Sequence, residues 1–267
     1  MDELMVELVG MCLGYVDPLT QPVCRAVCRR WHHALQAHAR TTQTATTAAE
    51  GRLAVLQWAR ASGAPWEDPG EACAGAARGG HLAVLQWLHA EGCAWDQRTT
   101  AAAAHGGHLA AAAGDGHLEV VQWLWTHGGS PFNRDVCAAA ARGGHLEVLQ
   151  WVRANNCPWD YMTCCLGAHG GHLEVLQWAR ANGAPWDETT CSGAALFGHL
   201  EVLRWARANG APWDTDTCNS AAHSGHLELL QWARANGAPW NRRVTFFAKR
   251  AGHTELLQWA LANGCPS

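Results

Sequence analysis

A repeat with a period of 27 residues constrains this 267-residue chain more than any other feature of its sequence. The tripeptide Gly-His-Leu or a close variant recurs, and we call the residue in its histidine slot the marker of a repeat. The markers are Arg52, His81, His108, His117, His145, His172, His199, His226 and His253. From His145 onward the step is always 27 residues. Such periodicity is typical of solenoids, in which each unit is one small supersecondary element.

The residues around marker His199 predict a pair of helices. Residues 199–209 place Leu200, Leu203 and Ala206 on one stripe with polar residues mostly opposite, which is the pattern of an amphipathic helix. Gly210 and Pro212 end this helix, because glycine readily takes the left-handed conformation and proline cannot continue a helix. Residues 190–197 are rich in small side chains and predict a shorter helix that lies close to its neighbours.

Neither helix of such a unit can bury its apolar face alone, so the units must stack into an all-α helical repeat solenoid. A tryptophan follows almost every marker by six residues and is predicted to belong to the structural core. These tryptophans are Trp58, Trp87, Trp123, Trp151, Trp178, Trp205, Trp232 and Trp259. A residue repeated at one helical position in every unit is most simply a packing residue.

The second half of the unit resembles the ankyrin repeat. Residues 198–203 (Gly-His-Leu-Glu-Val-Leu) and 209–211 (Asn-Gly-Ala) are similar to the family's G-H-x-x-V-V…G-A-x-x-N segment. The likeness runs from about residue 42 onward, which predicts an array over residues 41–267 with about eight repeats. The family's T-P-L-H opening is mostly missing and the period falls short of its usual 33 or so, so stubby loops are expected in place of β-hairpins. The resemblance implies a scaffold that binds another protein.

The regular spacing of the markers is interrupted once. His108 and His117 are only nine residues apart, which predicts a repeat truncated near residues 101–116. This alanine- and glycine-rich stretch is compatible with a bulge, an extended first helix or a flexible joint. We expect a local irregularity with a modest change of curvature.

Residues 1–40 lie outside the repeat and resemble an F-box. Residues 2–4 (Asp-Glu-Leu), 15–18 (Tyr-Val-Asp-Pro) and 27–31 (Val-Cys-Arg-Arg-Trp) follow the order of that family's acidic opening, its turn and its V-C-R-x-W ending. The stretch between opening and turn is longer than in the family, and the usual leading Leu-Pro is missing. The alternative is a capping bundle that shields the first repeat, as solenoids require.

The F-box resemblance implies docking on the Skp-type adaptor of a cullin–RING (SCF-type) ubiquitin ligase, with the repeats holding the substrate. The residues that would face the adaptor or the F-box core are Leu4, Leu8, Val16, Pro18, Val27 and Trp31. An F-box joined to Trp-rich ankyrin repeats resembles proteins abundant in giant DNA viruses of amoebae. That resemblance implies a role in redirecting the host's ubiquitin machinery and a location in the host cytoplasm.

Recognition residues are expected where the repeats differ from one another at equivalent surface positions. Such differences fall just before the first helix and at its end, so these residues are expected to line the short-loop edge and the concave face. The partner-binding candidates are Arg98, Arg134, Tyr161, Glu188, Phe197, Asp216, His223 and Arg242. An unconstrained solvated surface is the alternative interpretation.

Composition and spacing argue against other functions. A formal net charge of −4 with scattered cations offers no stripe for nucleic acid or anionic membranes. The acidic start is unlike a secretory leader, so the twelve cysteines are expected to be free thiols in the cytoplasm. Some histidine pairs have metal-like spacing, but the marker recurs in every repeat, and no catalytic set is evident. We therefore expect no metal, no cofactor and no enzymatic activity.

Overall fold

The computed structural model describes residues 44–61, 69–92, 109–127 and 133–267, which contain helices and loops but no strand. Each repeat consists of a first helix before the marker and a second helix after it. The pairs are α1 (Thr44–Ala49) and α2 (Leu53–Ala61); α3 (Pro69–Arg78) and α4 (Leu82–Ala90); α5 (residues 109–114) and α6 (Leu118–His127); α7 (Arg134–Gly143) and α8 (Leu146–Ala154); α9 (Tyr161–Gly170) and α10 (Leu173–Ala181); α11 (Glu188–Leu196) and α12 (Leu200–Ala208); α13 (Thr215–Ser224) and α14 (Leu227–Ala235); and α15 (Arg242–Ala251) and α16 (Thr254–Ala262). The expected all-α helical repeat solenoid is confirmed.

The helix boundaries follow from local capping. The second helix α12 begins one residue after His199 and ends one residue before Asn209, within one residue of the prediction at each end. The first helix α11 begins at Glu188, two residues earlier than the sequence predicted. It does so because the Asp187 side chain accepts a hydrogen bond from the Thr189 backbone N–H at 3.0 Å, which stabilises the first turn.

The core lies between the two helices of each pair and continues from pair to pair. The residue four positions after the marker is a fully buried leucine in successive repeats, at Leu149, Leu176, Leu203 and Leu230. Opposite these leucines, the first helices contribute small buried side chains such as Cys191 and Ala194. Burying one leucine fully contributes about 1.5–3 kcal/mol, so this repeated position is a major source of stability.

The eight tryptophans predicted as structural core lie at the edge of that core. All are half-buried and pack against the buried leucines and alanines rather than being enclosed by them. In the later repeats each of these indoles also meets a second tryptophan from the preceding loop. Trp186 and Trp205 meet edge-on with ring centroids 5.8 Å apart, and the Arg180 guanidinium lies 4.1 Å from the Trp186 ring centroid. The tryptophans and arginines thus make the same stacking contacts in successive repeats, beside the second helices.

The first helices of successive repeats approach one another more closely than the second helices do. Their small alanine, glycine, cysteine and serine side chains permit this approach. Between residues 133 and 267, six-residue loops connect each second helix to the next first helix. The first helices therefore form the more closely packed layer of the array.

The marker histidines within the described residues each contact the repeat before. His199 Nε2 lies 3.0 Å from the backbone oxygen of His169, and His253 Nε2 lies 3.1 Å from that of His223. The marker side chain makes no capping hydrogen bond to its own helix. The ring instead covers a glycine of the preceding repeat: a Cβ atom added to Gly171, whose φ is +75°, would lie 2.6 Å from the His199 ring.

The irregular stretch falls partly on described residues. The helix α5 precedes His117 at the offset that first helices take in other repeats, and its Leu109, Ala112 and Ala113 are buried. His117 Nε2 lies 2.7 Å from the backbone oxygen of Arg78, so these two repeats are joined in the usual way. Residues 101–108 lie outside the described residues, and so do residues 1–40 with the F-box-like motifs.

Candidate partner-binding surface

The first residues of four first helices form one row, and the equivalent residue of α13, Thr215, is half-buried. Arg134, Tyr161, Glu188 and Arg242 each stand eleven residues before their marker, and all four are exposed. Tyr161 is 42% exposed, which is high for a tyrosine packed in an array. We call this set the entry row, because it lies where the chain enters the first helices. Its members differ in charge and size although their backbone setting is the same.

The entry row is held in place by capping side chains. Asp160, Asp187, Asp214 and Asn241 each accept a hydrogen bond from the backbone N–H two residues later, at 2.9–3.0 Å. A carboxylate at this position also interacts favourably with the helix dipole. Tyr161, Glu188 and Arg242 therefore project from helix ends that a side chain caps, so a partner would meet a preordered edge there. The Asn133 side chain makes no such bond ahead of Arg134.

A second row lies at the opposite ends of the same first helices. It contains His169, Phe197 and His223, and we call it the exit row. A ten-residue helix is about 15 Å long, so the two rows are separated by about that distance. The predicted candidates thus form two edges with the exposed faces of the first helices between them, rather than one patch.

Phe197 is the centre of an aromatic group in the exit row. It is 51% exposed, and its ring centroid lies 5.2 Å from that of His169 and 6.5 Å from that of His199. Burial, together with the nearby Arg142 and His199, lowers the pKa of His169. The imidazole is therefore neutral at pH 7, and this part of the row offers an apolar, aromatic contact.

Charge varies along the entry row. Arg134 is cationic, Tyr161 neutral, Glu188 and the neighbouring Asp216 anionic, and Arg242 cationic again. Arg134 makes an ion pair with Asp160 at 3.2 Å, with 68% of the arginine side chain still exposed. A surface of this kind selects a partner by its pattern of charge, since like-charge contacts disfavour wrong partners.

The seven partner-binding candidates within the described residues are all exposed, whereas Arg98 lies outside them. The structure does not bring them into a single pocket. Sequence reasoning missed Phe247, whose ring centroid lies 5.6 Å from that of His223. It also missed the exposed Phe246 and Leu261 on the last helix pair. Comparing the repeats position by position would have found Phe246, because the earlier repeats carry short side chains there.

The described cysteines are free and buried. Burial raises the pKa of Cys164, Cys191 and Cys218 to about 12, so these thiols are protonated at neutral pH. Protonated, enclosed thiols are poor nucleophiles and poor metal ligands. Within the part of the chain that the structure describes, no three His, Cys, Asp or Glu side chains are grouped to hold a metal ion.

Residues 218–261 match the family model described as ankyrin repeats (many copies). A search of curated proteins finds no match. None of the described helices is long and apolar enough to cross a membrane. The matched segment and the stacked helix pairs together support an ankyrin-repeat protein, and repeats of this kind imply protein partners.

Proposed function

We propose that this ankyrin-repeat chain is a non-enzymatic scaffold that holds another protein along the entry and exit rows, and that it recruits this protein to a ubiquitin ligase. The scaffold role is supported by a contrast between the residues that hold the repeats together, which recur, and the exposed residues, which vary. Caps, marker histidines and buried leucines repeat from unit to unit, whereas Arg134, Tyr161, Glu188 and Arg242 differ at one equivalent exposed position.

The array suits such a role because its surface can change without changing its fold. The entry-row side chains are exposed, so a substitution there alters recognition at little cost in stability. Tyr161 and Phe197 are the aromatic residues best placed to anchor a partner, since exposed aromatics often become binding hot spots.

The scaffold half is tested by capturing partners with the full-length chain in eukaryotic cells and quantifying them by mass spectrometry. A double variant, Tyr161→Ser with Phe197→Ser, removes both anchors. The control, Glu201→Ser with Arg204→Ser, changes exposed residues of α12 on the other side of the array. We expect at least one protein that the wild type and the control retain and that the double variant loses at least about tenfold. Equal retention of every captured protein by all three chains would contradict the proposal.

The ligase half rests on the F-box resemblance of residues 1–40. It predicts that the full-length chain binds a purified Skp-type adaptor and that Val27→Asp or Trp31→Ala abolishes this binding. Tyr161→Ser is the control and should leave adaptor binding unchanged, because Tyr161 lies in the repeat array. A folded wild-type chain that does not bind the adaptor would exclude this half. The capping alternative predicts instead that the same variants only lower the free energy of unfolding.

A further inference from the structure

The outer face of the last helix pair is apolar. Phe246 on α15 and Leu261 on α16 are 56% and 47% exposed. Together with Leu257 they line a groove of about 680 Å³ between the two helices. Exposed apolar grooves often mark sites where another molecule binds, so this groove is a candidate binding site.

The side chain at the centre of the groove does not suit a further repeat of the same kind. Phe246 stands seven residues before its marker, where earlier repeats carry Ala138, Cys165 and Asn219, each buried by the following repeat. The Cys165 thiol donates a hydrogen bond of 3.6 Å to the backbone oxygen of Thr189 in the next first helix. A phenyl ring does not fit into so narrow a space. The surface around Phe246 is therefore suited to a ligand other than a further repeat of the same kind.

A second departure from the repeat pattern widens the apolar surface. Leu261 stands eight residues after its marker, where Arg180 and Arg207 stack over the tryptophans six residues further on. In the last repeat the tryptophan position is also changed, to Ser267. The pair of changes removes the cation and the indole together and leaves an aliphatic side chain at the rim of the groove.

The groove is flanked by positive charge. Arg242, Arg243 and Lys249 line it, and Arg250 follows on the same helix. All four are exposed, and α15 contains no acidic residue. The nearest acidic residue in sequence is the exposed Glu255 on α16. This concentration of cations stands in a chain whose formal net charge is −4.

We propose that the groove between α15 and α16 binds an acidic amphipathic helix of a partner protein. Leucine-type side chains of this helix lie against Phe246, Leu257 and Leu261, as in other helix-in-groove complexes. Its carboxylates lie near Arg243 and Lys249, which fix its orientation and speed its association. A second copy of this chain docking through the same face would bring two cationic helices together. A nucleic acid would leave the apolar floor of the groove uncovered.

The test uses the full-length chain and two fluorescently labelled helical peptides of about 18 residues, or five turns. Both peptides carry the same leucine stripe, but one has glutamates and the other lysines on its remaining positions. In fluorescence anisotropy we expect the acidic peptide to bind at least about tenfold more tightly, with an affinity that falls as salt is added. Phe246→Asn, which installs the side chain found at Asn219, should weaken binding at least about tenfold.

A charge-reversed variant makes the test independent of folding defects. Arg243→Glu with Lys249→Glu should reverse the preference, so that the lysine peptide binds more tightly than the acidic one. Tyr161→Asn is the matched control, because it changes an exposed aromatic residue of the entry row and should leave peptide affinity unchanged. Far-ultraviolet circular dichroism confirms that each variant remains helical.

Several outcomes would overturn the proposal. These are an acidic peptide that does not bind, equal binding of both peptides, or loss of binding in Tyr161→Asn. Tighter binding of duplex DNA or of phosphatidylglycerol vesicles than of the acidic peptide would assign the surface to a polyanion instead. Concentration-dependent dimerisation in sedimentation velocity that Phe246→Asn abolishes would assign it to a second copy of the chain. Arg242 belongs to both the groove and the entry row, so these results bear on the entry row only through that residue, and they leave the exit row untested.

Discussion

The Nε2 atom of His199 lies 3.0 Å from the backbone oxygen of His169, which belongs to the preceding repeat. Equivalent bonds join His81 to Ala49, His117 to Arg78 and His253 to His223. The acceptors lie three residues before Arg52, His81, His172 and His226, so the bond from His117 reaches the repeat of His81. The marker histidine thus forms a hydrogen bond between repeats, which gives a physical reason for its recurrence.

Replacing His199 by alanine should destabilise the array. The substitution removes the bond and leaves the His169 carbonyl without this partner, which costs about 1–3 kcal/mol. The free energy of unfolding from urea titrations measures the loss. Gln177→Ala, at an exposed position of α10, is the control and should change stability by less than about 0.5 kcal/mol. An equally small change in His199→Ala would show that the bond is not a significant contact.

Two glycines in the left-handed conformation should respond differently to alanine. Gly171 has φ +75° and an added Cβ would lie 2.6 Å from the His199 ring, whereas Gly210 has φ +86° and nothing within 4 Å. In both variants the alanine must adopt the left-handed conformation, which costs about 1–2 kcal/mol. Only Gly171→Ala also displaces the histidine, so it should lose at least about 1 kcal/mol more. Equal losses in urea denaturation would contradict the contact between glycine and histidine.

The core assignment predicts a strong contrast between two leucines. Leu203 is fully buried between α11 and α12, and Leu203→Ala should cost about 2–5 kcal/mol because it leaves a cavity. Leu261 is 47% exposed, and Leu261→Ala should cost less than about 1 kcal/mol. Thermal and urea unfolding measure the loss of stability in each of the two variants. Similar losses would mean that Leu261 is covered in solution.

The buried thiols should resist alkylation. With a pKa of about 12, Cys191 and Cys218 are thiolates in only about one molecule in ten thousand at pH 8. Peptide mass spectrometry should therefore find them unmodified by iodoacetamide in the native chain and fully modified in denaturant. Rapid native labelling of either cysteine would show that its helix pair opens on the timescale of the reaction.

Stability should decrease as the pH falls below the ordinary histidine pKa of 6.5. Burial lowers the pKa of His169 and His172 in the folded chain, so the unfolded chain binds more protons below that pH. Their contribution is therefore complete above pH 6.5 and is lost as the pH falls toward the lowered values. The free energy of unfolding at pH 7.5 should exceed that at pH 5.5. His169→Gln should reduce this difference between the two pH values. A free energy of unfolding that does not fall between pH 7.5 and pH 5.5 would contradict the burial of these rings.

Much of the repeat could be predicted because its signals are local. The stripe of Leu200, Leu203 and Ala206 and the stop at Gly210 are properties of neighbouring residues, and the second helix lies where they placed it. The first helix was predicted two residues short, because the cap by Asp187 precedes the small-residue stretch that marked it. The match of residues 218–261 to ankyrin repeats covers the most regular part of the array.

The contacts between repeats could not be predicted in the same way. The role of His199 depends on a carbonyl 30 residues away, and the half-burial of Trp205 depends on Trp186 in another repeat. The candidates Tyr161 and Phe197 were identified as surface residues, but their separation into two rows follows from the helix between them. Residues 1–40 and their proposed adaptor contact stay a prediction.

The contact of the marker ring with the preceding repeat also bears on how such a chain changes in evolution. From His145 to His253 the step is always 27 residues and each marker ring covers a glycine of the repeat before, so an in-frame duplication or loss of 27 codons there replaces one junction by an equivalent one. The chain can then lengthen or shorten without a new interface having to arise, and each added unit brings one more variable side chain to each row. Recombination between repeats thus alters the length and the pattern of the recognition surface in a single event.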